Sequence, residues 1–580
     1  MHHVRSIAAA ACLASSVWAD PPTGAPVTPP QAEPIARFDG EVVVRATLRN
    51  AADLMLMGQL SDDAWSHSPG MGVPSDWRLS RARLPVLRAA GVPFQVIIPD
   101  VQALVQAERD RLAQPAEAAD WFADFKNLAA VNARLDALVA ARPDLCSIVN
   151  LGTTSIQGRT IKGIRISRHA AGASIPAFAV TGTQHAREWA GTMTAMWIVD
   201  RLVEDADADP RVQAIVDAGE VFVFPVLNPD GYEYSWTTNR LWRKNRRLNS
   251  GGSYGVDLNR NWGWQWGGAG TSTQQSNDTY RGTAAFSEPE TRAYRDWALP
   301  RTNIVAHLDL HSYSELLLWP WGYTGTLCAD QSSFNRVGTL MQSAIAGVNG
   351  FSYTAGPIYS TIYPASGGAN DWAYGAAGQL SYCIEVRDTG AYGFVMPASE
   401  ILPNARENFA AFETMVEESL KACTVTLMQG PGATAAPDQA MPVKVTVAAN
   451  VGTLIAANPV RLQWQVDGGA VQSSNMTLAS GSWGANLPAT VCGSSLTWWV
   501  EAETNFAVTR WPSNDPRVAR STGTGACTVE GDLDGDGAVG GGDLALLLLD
   551  YGPCAGCPSD LDGSGTVDFG DVAILLLLFS

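Results

Sequence analysis

The stretch TGTQHAREWAG, residues 181–191, admits two readings. His185 and Glu188 are either two ligands of one metal site or charges in a turn that happens to read His-x-x-Glu. The chain has seven histidines, and chance supplies on the order of a third of one such match, so the motif alone is weak. Its surroundings say more. The apolar run AFAVTG (177–182) precedes it and reads as a strand, while Trp189, Met193, Met196 and Val203 follow at helical spacing. The motif therefore falls between a strand and a helix. The runs VFVFPVL (221–227), NIVAHLDL (303–310) and LSYCIEV (380–386) alternate with helical patterns across residues 120–423, which predicts an α/β sheet.

A hydrolytic zinc site takes three protein ligands and keeps one position open, and two histidines with one glutamate make such a set. The third ligand should be a histidine at the end of a nearby strand. Beyond residue 120 the remaining histidines are His169, His307 and His311. His311 directly follows NIVAHLDL, whereas His307 lies inside the run and reads as a satisfied structural histidine. Glu385 ends the apolar run LSYCI, where a carboxylate is costly without a partner or a task. Arg387 and Asp388 just beyond it are expected to pair with each other.

Seven motifs occur in one order: QHAREW (184–189), NPDGYEYSWTTNRLWRKNRR (228–247), GVDLNRNW (255–262), YRGTAAFSEPET (280–291), HSYSELLLWPWGYT (311–324), TIYPASGGANDW (361–372) and EVRDTGAYGF (385–394). Across roughly residues 36–423 the chain resembles the metallocarboxypeptidases of the carboxypeptidase A/B type. The resemblance implies a mixed-sheet α/β/α catalytic domain with His185, Glu188 and His311 on zinc and Glu385 as general base. It assigns Arg243 to the scissile carbonyl, Asn259, Arg260 and Tyr363 to the substrate's terminal carboxylate, and Arg187 to a neighbouring subsite. The residues agree with this. Five of the eight positions 240–247 are basic in an acidic protein; a carboxylate taken out of water needs compensation, and arginine offers a fork of two hydrogen bonds. Arg246 and Arg247 read as structural or surface charges. The resemblance places Asn370 at the base of the side-chain pocket, lined also by Ile358, Ala365 and Cys383. A-type relatives carry an aliphatic residue at that base and B-type relatives an aspartate, so the uncharged Asn370 predicts neutral, mainly apolar or aromatic C-terminal residues. Asp371 matches a structural position.

The remaining sequence divides by composition. Residues 1–19 read as a signal peptide, with Arg5, an apolar run and small residues before Ala19; this predicts a secreted, extracellular or cell-surface protein. A Pro-rich linker follows (20–35). Residues 36–117 read β-α-β-β-α-β and resemble the family's ferredoxin-like α+β pro-domain, which implies a zymogen and an activating protease. The segment 109–121 looks cleavable, with Arg109 and Arg111 as sites. The catalytic domain is expected over 118–423. Residues 424–526, with VKVTV, VRLQWQV and LTWWVEA between turn clusters, read as an immunoglobulin-like β-sandwich.

The tail, 527–580, repeats itself. It holds ten acidic and no basic residues, more than half of the net charge of −18. Asp532, Asp534, Asp536 and Asp543 in one copy, and Asp560, Asp562, Ser564, Asp568 and Asp571 in the other, follow a calcium-loop plan with oxygen ligands at alternate positions. Twice-repeated loops with Asp at position 12 resemble a dockerin, implying one or two structural calcium ions and a cohesin-like docking partner. Gly540 departs from the plan in the first loop. The acidic balance argues against nucleic acid as a partner, and no apolar run is long enough to span a membrane. Of nine cysteines, eight remain after removal of the signal, which permits disulfides; Cys554 and Cys557 are expected to form a local one rather than a redox pair or half a zinc site. The competing account is a catalytically idle peptidase fold that binds or attaches through the sandwich and tail, but every catalytic position is filled.

Overall fold

A computed structural model of the chain describes residues 33–66, 71–114, 120–172, 175–328, 330–420, 423–430, 434–435, 440–449, 454, 457–489, 495–503, 508–511, 520–524, 530–533, 539–554 and 556–579. The signal peptide expected at 1–19, most of the linker, Asp534 and Asp536 lie outside the described residues. Near the N-terminus β1 (Glu41–Thr47), β2 (Asp63–Ala64), β3 (Pro74–Ser80) and β4 (Phe94–Ile98) form a sheet in the order β2-β3-β1-β4. Alternation along β1 sends Val42 and Val44 to a core shared with Met57, Leu84 and Leu87 of two helices. Val43 faces the other way and packs with Ile98, Val101 and Val105 against Leu241, Tyr313 and Phe394 of the central unit.

The central unit is a mixed eight-stranded sheet of β5 (Cys146–Asn150), β6 (Lys162–Ile166), β7 (Ala177–Gly182), β8 (Glu220–Phe224), β9 (Ile304–Ser312), β10 (Leu316–Trp319), β11 (Thr354–Pro357) and β12 (Leu380–Val386). Its order is β11-β10-β12-β9-β7-β8-β6-β5. The four middle strands β12, β9, β7 and β8 are mutually parallel. Buried on both faces, they read as nearly continuous apolar runs. One face packs Phe178, Val180, Leu308, Leu310, Tyr382 and Ile384 against the helices 189–204, 331–349 and 401–420. The other packs Ala177, Ala179, Phe222 and Phe224 against Trp262, Tyr294, Trp297 and Trp372.

Three details differ from the sequence reading. β9 runs through Ser312, so His311 belongs to the strand instead of following it, because pairing with β12 continues to Val386 opposite Ser312. Arg387 and Asp388 do not pair. Arg387 binds Glu400 and Glu407 at 2.5 Å each, and Asp388 accepts the backbone N–H groups of Gly390, Tyr392 and Gly393. Arg109 and Arg111 sit in the last turn of the helix Val101–Leu112 and not in an open loop, with Arg111 held by Asp124 at 2.9 Å.

Strands at 423–429, 441–449, 482–487 and 477–479 form one sheet toward the C-terminus, and 460–466 with 495–503 centre a second. Val443, Val445, Leu462, Leu496 and Trp498 fill the space between them. Two short helices, 541–549 and 569–578, follow and share Leu547 and Leu575, and Cys554 is disulfide-bonded to Cys557.

The helix after the opening motif lies against β9 at Gly191, where an added Cβ would stand 2.9 Å from the backbone oxygen of Leu310. Alanine would gain about 1 kcal/mol in helix propensity, but overpacking against a backbone atom costs about 1–3 kcal/mol. Gly191→Ala is therefore expected to lower the Tm in thermal denaturation; an unchanged or raised Tm would show that the helix can move away freely.

Candidate metal centre and substrate cleft

The chain leaves β7 at Gly182 and turns at Thr183, which adopts φ 56°. Non-glycine residues hold this conformation only when surrounding contacts fix it. Here the Thr183 hydroxyl is 2.5 Å from that of Thr192 and donates to Pro225 O at 2.9 Å. The turn brings His185 and Glu188 to the end of β9. His185 Nδ1 lies 2.8 Å from Glu188 Oε1, His311 Nδ1 lies 2.9 Å from Glu188 Oε2, and the two Nδ1 atoms are 3.1 Å apart. All three side chains are buried and form one of the ligand clusters among the described residues.

These residues fit zinc. Ligands about 2.1 Å from a tetrahedral centre sit about 3.4 Å apart, close to the spacings here. The opposite ring nitrogens meet carboxylates: His185 Nε2 is 3.2 Å from Asp257 Oδ1, and His311 Nε2 is 2.9 Å from Asp309 Oδ2. A proton on each Nε2 leaves both Nδ1 lone pairs pointing at one spot, the usual arrangement for metal-binding histidines. Burial raises Glu188, but His185 and His311 outweigh it and hold this carboxylate below its usual range. Burial pushes the His185 imidazole down, and nearby Arg243 adds to this.

Arg243 donates to Asp257 Oδ2 at 2.8 Å, with Nη1 3.8 Å from Glu188 Oε1. Burial alone would weaken its charge; Asp257 and Glu188 more than restore it. Glu385 stands opposite His311 in the β9–β12 register. Its Oε2 has no hydrogen-bond partner among the described residues, and its carboxyl is pushed up to about 8, by burial first and by Glu188 among its neighbours. A cation beside it would favour the ionised form at lower pH.

Glu385 lines one cavity together with Asn259, Arg260, Tyr363, Asn370, Ile358, Ala365 and Cys383. Asn259 is fixed by accepting Ala369 N at 2.9 Å, and Arg260 by donating to Gly270 O and Asn259 O at 2.8 Å each. Asp371 accepts from Gly322 N and Tyr323 N at 2.8 and 3.0 Å, a structural duty. Arg246 is stacked over Tyr234 and Tyr254, and Arg247 binds Glu288. His307 is enclosed between Thr181 and Ser381.

Arg187 is buried and bound to Asp63 of β2 at 2.7 Å, so in this form it faces the N-terminal sheet. An adjoining cavity of about 950 Å³ runs between Asp62, Asp63, Ala64 and Trp77 on that side and Arg243, Tyr359 and Tyr363 on the other. Asp257, Asp309 and Asp63 were missed in the sequence. Asp309 could have been found, since two residues before His311 in a strand means the same face. In the tail, Asp560, Asp562 and Asp571 bring carboxylate oxygens within 4.8 Å of one another. Asp571 accepts from Leu561 N and Asp568 N, as Asp543 does from Leu533 N and Gly540 N.

The zinc carboxypeptidase family profile matches residues 131–411. Carboxypeptidase A1 of Bos taurus is 36% identical over 399 residues, covering 66% of this chain and 94% of the relative. Carboxypeptidase A2 of Rattus norvegicus is 38% identical over 336 residues, covering 57% and 80%. Among solved structures, carboxypeptidase A from Helicoverpa armigera superposes with a TM-score of 0.60 at 28% identity, over 66% of this chain and 98% of that one.

Asp257→Asn is expected to weaken zinc binding about 10–100-fold, since the amide no longer fixes the His185 tautomer. Competition with a chromogenic chelator measures this; an unchanged affinity would remove Asp257 from the centre's support.

Proposed function

The chain belongs to the zinc carboxypeptidase family and is a metallocarboxypeptidase of the carboxypeptidase A type, and from this premise we propose that it is secreted as a zymogen and removes neutral C-terminal residues from peptides and proteins. The observation that carries the reading is a buried His-Glu-His cluster next to Glu385, which stands opposite His311, has an Oε2 without a hydrogen-bond partner among the described residues, and lines one cavity with Asn259, Arg260 and Tyr363. Zinc held by His185, Glu188 and His311 would supply a Lewis acid that polarises the scissile carbonyl and acidifies a water. Arg260, Asn259 and Tyr363 hold the substrate's terminal carboxylate and so select the last peptide bond. Glu385 takes a proton from the attacking water and returns it to the leaving amine. The Arg243 guanidinium, kept charged by Asp257, stabilises the oxyanion that develops. Asn370, Ile358, Ala365 and Cys383 receive the side chain.

The zymogen reading is supported by the contacts over the cleft. Asp63 occupies Arg187, Glu108 binds the buried Arg240, and Asp76 accepts from Tyr313 at 2.8 Å. Cleavage within 109–121 would then free Arg187 for the peptide. In the tail, Asp560, Asp562, Ser564, Asp568 and Asp571 are proposed to hold calcium, with Asp532, Asp534, Asp536 and Asp543 as the second loop, and the module to dock a cohesin-like partner.

Trypsin-treated protein should release C-terminal Phe or Leu from peptides faster than Lys or Glu, and a zinc chelator should stop it. No chelator-sensitive release of any residue would sink the enzymatic role, and preferred release of Lys would overturn the pocket assignment. The hold of the N-terminal unit should also depend on pH. Asp278 is pushed up to about 6 by burial and by the facing Asp63, while Asp63 is held low against its own burial by Arg187 and Arg78. The first group stabilises the covered form when protonated and loses this as pH rises through about 6. The second contributes only while ionised, above the usual carboxylate range. After cleavage, the N-terminal fragment should therefore bind more tightly at pH about 5 than about 7.5. Asp278→Asn should flatten that dependence; equal affinity at both pH values in the native protein would exclude the carboxyl pair.

A further inference from the structure

Beneath the metal centre, β7, β9 and β12 carry a row of polar side chains that the mechanism above does not use. The row starts at Asp309. Its Oδ1 accepts from Thr181 Oγ1 at 2.7 Å, and its Oδ2 lies 2.5 Å from Gln184 Nε2 and 2.9 Å from His311 Nε2. Gln184 is oriented by Trp262, whose indole can only donate and does so to Gln184 Oε1 at 2.9 Å.

The proton count then runs outward in one direction. The Thr181 hydroxyl has one proton, given to Asp309, so toward His307 Nε2 at 3.0 Å it can only accept. His307 therefore carries its proton on Nε2. A second proton on this ring is disfavoured, because burial pushes it down to about 4. Nδ1 is left as an acceptor, and Ser381 Oγ at 3.0 Å donates to it. With its proton spent, Ser381 accepts from Asn370 Nδ2 at 2.9 Å. An amide has one donor end and one acceptor end. Asn370 Oδ1 is thus turned away from Ser381 in a residue that lines the cavity with Ile358, Ala365 and Cys383, and it takes no hydrogen bond from any described residue.

We infer that the floor of the side-chain pocket is a fixed hydrogen-bond acceptor, Asn370 Oδ1, and that the enzyme selects uncharged C-terminal residues whose side chain ends in an N–H or O–H donor, such as tyrosine or glutamine, over apolar side chains of the same shape. The inference rests on the reaction and the pocket base proposed above. Ser381 and His307 are positioning residues. They act through Asn370 by removing the amide's freedom to present its donor end. Leu318, Ile358, Ile362 and Ala365 make up the apolar part of the lining, and Asn370 adds a polar point that carries no charge.

The test uses full-length protein after limited trypsin treatment and N-blocked glycyl dipeptides ending in 4-aminophenylalanine, 4-methylphenylalanine or 4-cyanophenylalanine. The first two share a shape and differ in a donor; the third ends in an acceptor. The expected kcat/KM for the amino compound exceeds that for the methyl compound by about tenfold. Ser381→Ala and His307→Phe should bring this ratio to about one, while Ser381→Thr, which keeps the hydroxyl, should retain it. A ratio near one in the native protein, or a preference for the cyano compound, overturns the inference while leaving the carboxypeptidase role intact. The native ratio decides even if a variant fails to fold. No release from any of the three sinks the functional reading and the inference with it.

Discussion

The site depends on one constraint, the two-residue alternation of β9 and β12 held in parallel register. His307, Asp309 and His311 share one face of β9, and Ser381, Cys383 and Glu385 share the matching face of β12, paired in that order. Leu308, Leu310, Tyr382 and Ile384 occupy the other face and are anchored in the larger core. A one-residue slip would bury the polar set among the helices and expose the apolar set to the cleft. The apolar anchoring therefore fixes where the chemistry stands. β7 adds Thr181 opposite Asp309, and its outgoing turn adds His185 and Glu188.

Much of this was legible in sequence. The runs at 177–182 and 380–386 are found with those boundaries, because fully buried parallel strands are nearly continuous apolar runs. His185, Glu188 and His311 could be joined because His-x-x-Glu lay between a strand and a helix and a histidine stood at the end of another strand. What could not be read were partners brought from far away. Nothing local ties Asp257 to His185, Asp63 to Arg187, or Glu407 to Arg387. Long-range ion pairs leave no periodicity in the chain. The neighbouring charges of Arg387 and Asp388 misled as well: Arg387 binds Glu407, twenty residues on, while Asp388 is taken up by the backbone N–H groups of the turn that follows it.

The N-terminal sheet shows how such pairs divide labour. Asp63 and Asp76 of this sheet and Glu108 of the helix Val101–Leu112 are all buried and paired with the central unit. A charge taken from water is tolerated only with a well-placed counter-charge or donor. Arg187, Arg240 and Tyr313 supply these. The same groups would be costly to strip of their partners, so the interface is specific in register while owing much of its adhesion to Val43, Ile98 and Val105 packed on Phe394 and Tyr313.

The electrostatics of the centre also explain why a divalent cation belongs there. Glu188, Asp257 and Asp309 are each held below or within the ionised range despite burial, and the buried cation bound among them is Arg243. Three negative charges against one positive leave two uncompensated in a region of low dielectric, a heavy penalty by any estimate of charge burial. Burial and Glu188 push the Glu385 carboxyl up to about 8, and Asp309 and Glu188 raise the His311 imidazole against its burial. A dication held by His185, Glu188 and His311 would offset the two uncompensated charges. Its field would also favour the neutral form of His311 and the ionised form of Glu385.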